Sequence, residues 1–162
     1  MLTSQDLSAL YKAQNDQWDD CLRDASDIYL DRLRAELSPS ESVSAVLAFE
    51  SEYRDLRGHT QALPALLAVT SLRVLHILAP KRILGRYRSV RSQAGSSSEL
   101  EVRVIPYSAM RGVDGRRSIL SLGLERELYL DLKDGTFVKI RGLPTERSKL
   151  AEEYIREALV SS

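Results

Sequence analysis

Apolar residues recur at three- and four-residue steps through residues 3–37: Leu7, Leu10, Tyr11, Trp18, Cys21, Leu22, Ala25, Ile28, Tyr29, Leu33 and Leu37. That spacing gathers them on one face of an α-helix, with acids on the other. Thr3 and Asp6 resemble a capping box, and Ser38-Pro39-Ser40 stops the run. An unbroken helix of this length would reach about 50 Å at about 1.5 Å per residue, longer than the domain it serves. Asn15-Asp16 is the candidate break.

After Ser42 the period changes to two. Val43, Ala45, Leu47, Phe49 and Tyr53 alternate with mostly polar partners, which predicts a strand with one buried face. Residues 66–78 would be too long as one strand. Thr70-Ser71 therefore predicts a turn between a strand ending near Val69 and another over about Arg73–Leu78. A turn at Pro80-Lys81, a strand over Ile83–Val90 and a flexible polar loop, SQAGSSSE, are expected next. Val102–Tyr107 and about Ala109–Leu122 read as extended, with a hairpin turn possible at Asp114-Gly115. Leu128, Leu130 and Leu132 then alternate with Glu127, Tyr129 and Asp131 before Asp134-Gly135 turns the chain into Thr136–Arg141. Asp-Gly between alternating runs is the strongest short hairpin signal. A last helix follows Pro144, with Leu150, Ala151, Tyr154, Ile155, Ala158 and Leu159 on one narrow face. The expected class is α+β: a helical extension over residues 1–40, then about seven antiparallel strands closed by a helix over residues 41–162.

With 43% hydrophobic and 28% charged residues, the chain fits a soluble globular protein long enough to bury a real core. No apolar run reaches 18 residues and no basic-then-apolar leader opens the chain, so neither a span nor a signal peptide is expected. Cys21 is the single cysteine, which fits a reducing compartment and a cytoplasmic location. The zero net charge hides an asymmetry. Residues 1–42 hold nine acids and four bases; residues 43–162 hold fourteen acids and nineteen bases. Within the second part, Arg54, Arg57, Arg73, Lys81, Arg82, Arg86, Arg88 and Arg91 face Asp55 alone over residues 54–91. Such a division marks either two differently solvated surfaces or an anion-facing side.

Three segments carry a resemblance. ALLAVTSLRVLHI, VIPYSAMRGV and LYLDLKDGTFVKIRGL with the closing helix resemble, in order, the strand–turn–strand, Ile-Pro-Tyr segment and last hairpin of bacterial pleckstrin-homology (PH)-like domains. The YokE-like subgroup is the nearest, and the resemblance covers about residues 41–160. It implies a PH-like roll: two orthogonal antiparallel sheets with the C-terminal helix closing one corner. Such folds host lipid, peptide and protein binding, so the resemblance leaves activity open.

The chemistry is sparse. His59 and His76 are the two histidines, and neither pairs with Cys21 at zinc-like spacing, so no metal and no cofactor are expected. His76, on a strand face with Val74 and Leu78, reads as a core-edge histidine with a hydrogen-bond partner. Gly112 and Gly115 lack the Lys-Ser/Thr of a P-loop, and no serine sits in a Gly-x-Ser-x-Gly elbow. Asp20, Asp24, Asp27 and Asp31 would form one stripe opposite the apolar helix face, expected to be a solvated surface, with an acidic partner surface as the alternative. An enzyme is not expected.

Lys81, Arg82, Arg86, Arg88 and Arg91 remain. KRILGRYR resembles the basic signature with which phosphoinositide-binding PH domains hold phosphates, although that signature spans their first two strands and this run falls later. Alternation would put Arg82, Arg86 and Arg88 on one outer face, a position that also suits edge protection. The near-neutral pI of 6.8, with Tyr87 alone among these cations, argues against nucleic acid. Two readings follow. The first is a protein-binding or self-associating module helped by Trp18, Leu22, Ile28, Tyr29 and Leu33 of the N-terminal helix, with a homo-oligomer expected from that apolar payload. The second is a peripheral module for anionic lipid headgroups.

Overall fold

The computed structural model describes residues 4–15, 22, 25–54, 57–58, 60–80, 94–118 and 124–162. Helices α1 (Ser4–Gln14) and α2 (Ser26–Glu36) come first. Strands β1 (Val43–Arg54), β2 (Thr60–Thr70), β3 (Arg73–Leu78) and β4 (Glu101–Pro106) form one antiparallel sheet in the order β1-β2-β3-β4. Strands β5 (Met110–Arg117), β6 (Glu125–Leu132) and β7 (Phe137–Pro144) form a second, and helix α3 (Thr145–Ser161) closes the chain. Short 3-10 turns at Ser97–Glu99 and Tyr107–Ala109 lead into β4 and β5. The expected strands therefore divide into sheets of four and three.

Three hairpin expectations meet different outcomes. Thr70-Ser71 does reverse the chain, with Val69 opposite Val74. The Thr70 side-chain oxygen holds that turn by accepting from the Leu72 and Arg73 amides. Asp134-Gly135 turns as expected: Gly135 has φ +87°, and Asp134 Oδ1 accepts from the Thr136 amide at 2.9 Å. Asp114-Gly115 does not turn. β5 runs through both residues, with Asp114 opposite Tyr129 and Gly115 opposite Leu128. At Gly115 a methyl group would meet the ends of the Arg126 and Glu152 side chains, which would have to shift to admit it. The expected turn at Lys81 and strand at 83–90 lie outside the described residues.

The long N-terminal helix is also corrected: two separate helices take its place. Asn15, flagged as a break, ends α1 by turning its amide onto other backbone. Its Nδ2 donates to Tyr11 O (2.7 Å) and to Val46 O (2.8 Å), and its Oδ1 accepts from the Ala48 amide (2.7 Å).

The helices lie on their own sheet. Ala45, Leu47 and Phe49 of β1 point toward the second sheet and α3, into a core shared with Leu67, Val74, Leu128, Leu130, Ile140, Ala151 and Ile155. The intervening Val46 and Ala48 are not solvated. With Leu66, Ala68, Leu75 and Ile77 they form a second core under Leu7, Tyr11, Leu22, Ile28, Tyr29 and Leu33. The expectation of one buried face on β1 is thus corrected to two. Pro64 fits inside β2 because it sits just past the last β3 pair, Ala65–Leu78, and its carbonyl accepts from the Tyr29 hydroxyl at 2.8 Å.

A polar latch ties α2 to the β2–β3 turn. Arg73 donates to both oxygens of Glu41 at 3.0 Å and to Glu36 O at 2.6 Å, while Thr70 donates to Glu41 Oε1 at 2.6 Å. Burial pushes the Glu41 carboxyl up, but the bonds from Arg73, Thr70 and Ser38 outweigh it and hold its pKa at about 2. Tyr107 joins from the other side by donating to Thr70 O at 2.7 Å.

His76 differs from expectation: it is buried, yet among the described residues neither ring nitrogen has a hydrogen-bond partner. It stacks on Phe49 with ring centroids 5.5 Å apart. Burial, and then the charge of Arg103 opposite it on β4, push its pKa down to about 3.

Two expectations can be measured. Leu33→Ala should lower stability by about 2–5 kcal/mol, as for other large-to-small core changes. Deleting residues 1–40 should abolish the cooperative melt by baring the second core. A truncated protein melting at the full-length midpoint would refute the two-core arrangement. The second concerns acid. His76 is neutral in the fold, so the unfolded chain binds one more proton between its ordinary 6.5 and about 3. Stability therefore falls as pH drops through that window. The Glu41 contribution is intact above its ordinary 4.5 and is lost only as pH falls toward and through about 2. Urea midpoints for His76→Leu should fall less between pH 6.5 and 4.5 than those of the parent; equal slopes would rule His76 out as the source.

Candidate binding surface

The sequence nominated two sets of residues, and the structure treats them differently. Leu22, Ile28, Tyr29 and Leu33 are buried against the chain's own first sheet, so they present no face to a partner. Trp18 lies outside the described residues. So do Lys81, Arg82, Arg86, Arg88 and Arg91. The chain leaves β3 at Leu78 near the end of the sheet where β1 connects to β2, and Arg57 of that connection is exposed. Arg73, counted with the same cations, belongs to the opposite end and is engaged by Glu41.

The second sheet offers a surface that the sequence reading passed over. Its inner face carries Val113, Leu128, Leu130 and Ile140 into the core. Alternation then turns Asp114, Arg116, Glu127, Tyr129, Phe137 and Lys139 outward, and cross-strand register sets Tyr129 between Asp114 and Lys139. Tyr129 is the hub. Its ring lies 5.6 Å from that of Phe137, the Arg116 guanidinium sits 4.3 Å from its centroid, and Lys139 Nζ is at 5.2 Å. Its hydroxyl donates to Glu127 Oε2 at 2.8 Å.

Glu127 also takes Lys139 at 3.0 Å and Arg141 at 3.5 Å. Burial pushes its carboxyl up, while hydrogen bonds from Lys139 and Tyr129 prevail and leave its pKa below the ordinary value. Arg116 meets Asp114 at 3.0 Å. These cations are matched locally, so the face is not a bare anion site. Its distinctive element is apolar: Phe137 is 58% exposed beside a half-buried tyrosine. The alternation of Tyr129 between Glu127 and Asp131 was legible; its cross-strand neighbours required the register.

A cleft between α3 and β6 is lined by Arg126, Lys149, Glu152, Glu153, Arg156 and Glu157. Its charges serve one another. Glu152 bridges Arg156 at 2.6 Å and Arg126 at 3.3 Å, and Arg126 also donates to Gly115 O at 2.9 Å. This is an interlock that fixes α3 over β5 and β6.

Comparison with known proteins yields few matches. No protein-family model matches the chain, and no curated protein matches it in sequence. Neither comparison supports the bacterial, YokE-like subgroup expected from the three quoted segments. Four chains of solved structures match, two of which follow. One is the pleckstrin homology domain of USP37, at 12% identity and a TM-score of 0.42, covering 74% of this chain and 100% of that one. The other is the hSac2 domain of the human phosphoinositide phosphatase Sac2, at 8% identity and a TM-score of 0.44, covering 84% of this chain and 77% of that one.

Proposed function

We propose that the chain is a non-enzymatic PH-like interaction module that binds a protein partner through the outer face of β5–β7. The succession of a four-stranded sheet, a three-stranded sheet and a closing helix supports the PH-like reading. The observation that carries the partner reading is the exposed Phe137 packed on Tyr129, whose ring Arg116 and Lys139 flank. Aromatic and arginine side chains in a polar rim are the composition of interface centres. The homo-oligomer expected from the N-terminal helix has less to rest on, because Leu22, Ile28, Tyr29 and Leu33 of that apolar face are buried on the chain's own sheet.

The test is affinity capture from the native host, comparing the parent with Tyr129→Ala plus Phe137→Ala. Phe137 is exposed and Tyr129 half-buried, so the melting temperature is read alongside and should fall only modestly, with the fold retained. A partner held by the parent should bind the double variant on the order of 30-fold more weakly, about 2 kcal/mol for a centre of this kind. Equal retention would exclude this face.

A second reading is recognition of anionic headgroups by Lys81, Arg82, Arg86, Arg88 and Arg91. The favouring observation is topological: their segment departs from β3 near the connection that carries exposed Arg57. At about 1 kcal/mol per cation, four would give a dissociation constant on the order of 1 mM, so one copy would bind only transiently. Sedimentation with anionic but not neutral liposomes, reduced by Arg86→Glu plus Arg88→Glu, is the expected result. Parent and variant sedimenting alike would make these arginines surface charge.

A further inference from the structure

Among the described residues β1 is an edge strand of its sheet, paired with β2, with β7 and α3 packed nearby. Its other edge is nevertheless hydrogen-bonded, by the last turn of α1. Gln14 Nε2 donates to Ser44 O at 3.0 Å, and Gln14 Oε1 accepts from the Val46 amide at 2.7 Å. Asn15 repeats the pattern one step along, donating to Val46 O at 2.8 Å and accepting from the Ala48 amide at 2.7 Å. Each side-chain amide offers β1 one N–H and one C=O, as a neighbouring strand would. Arg147 of α3 completes the edge by donating to Ala48 O at 2.8 Å.

The protected segment, Val43–Phe49, has no charge and no proline. An uncovered strand of that composition templates edge-to-edge pairing. It is also self-complementary. Laid antiparallel with Val46 opposite Val46 of another copy, it would bring each Ala48 amide to the other chain's Ser44 carbonyl. These are the same groups that Gln14 and Asn15 now satisfy, related by a two-fold axis.

We propose that α1 is a displaceable cap on this edge, and that the partner fitting the uncapped edge is a second copy of the chain, paired β1 to β1. α1 spans eleven residues, short of the length at which an isolated helix is stable, and Leu7 and Tyr11 are its buried apolar anchors. The amide bonds to β1 thus form a large part of its specific attachment. The N-terminal region would then hold copies apart, the reverse of the role its apolar face suggested. The edge is separate from the β5–β7 face, and neither reading rests on the other.

The experiment replaces both amides in the full-length chain, Gln14→Leu with Asn15→Leu, which keeps volume and removes four edge bonds. Light scattering across micromolar concentrations should show the mass doubling relative to the parent, reversibly on dilution. Hydrogen exchange should show the Val46 and Ala48 amides protected in the doubled species and exposed after dilution. Gln14→Leu alone, at a half-buried position, should give the same shift at higher concentration, and it decides the matter if the double variant fails to fold. An unchanged mass while Val46 and Ala48 exchange faster would overturn the proposal, since the edge would be open and unpaired. A doubled mass without protection at Val46 and Ala48 would overturn it too, by placing the association elsewhere.

Discussion

The first sheet is apolar on both faces, and the remaining architecture answers that condition. Ala45, Leu47, Phe49, Leu67 and Val74 face one way; Val46, Ala48, Leu66, Ala68, Leu75 and Ile77 face the other. Neither set can remain in water when burial of each large side chain is worth about 1.5–3 kcal/mol. The second sheet and α3 cover the first set. α1 and α2 cover the second, which makes the N-terminal helices a structural layer and removes their apolar stripe from the list of partner surfaces.

Double burial creates a polar problem at the boundaries of that sheet, because groups such as Thr70, Glu41 and the backbone at Ala48 are sealed from water as well. The solutions are specific. Glu41, Arg73 and Thr70 satisfy one another beneath the β2–β3 turn, with Tyr107 reaching in from the start of the second sheet. Gln14, Asn15 and Arg147 complete the β1 edge. His76 is an exception, a buried imidazole with no partner for either nitrogen among the described residues, kept neutral by its surroundings.

With β1–β3 covered on both faces, the outer face of the second sheet is left to solvent. Its outer face bears an exposed phenylalanine on a tyrosine that two cations flank, and each cation has its own carboxylate nearby. Such a face is better suited to a partner with both apolar and polar groups than to a simple anion. The basic run between β3 and β4 remains the part of the chain with unbalanced positive charge.

The sequence by itself determined the local events whose causes lie within a few residues. The turn at Thr70-Ser71 follows from a hydroxyl that accepts its own backbone, and the one at Asp134-Gly135 from an aspartate side chain and a glycine that tolerates positive φ. The face of α3 follows from its three- and four-residue spacing, because a helix fixes which side chains share a side. What tertiary structure decided depends on neighbours distant in the chain. Asp114-Gly115 has the composition of a turn but is held straight by pairing with β6, and its glycine makes room for an ion pair between β6 and α3. Val46 and Ala48 alternate with the inner residues of β1 whether water or a helix lies above them; only the return of α1 and α2 buries them. Tyr129 reads as one polar position in an alternating strand until register sets Phe137, Arg116 and Lys139 around it. Periodicity specifies which residues share a face, and what covers that face is settled by packing between segments that periodicity does not relate.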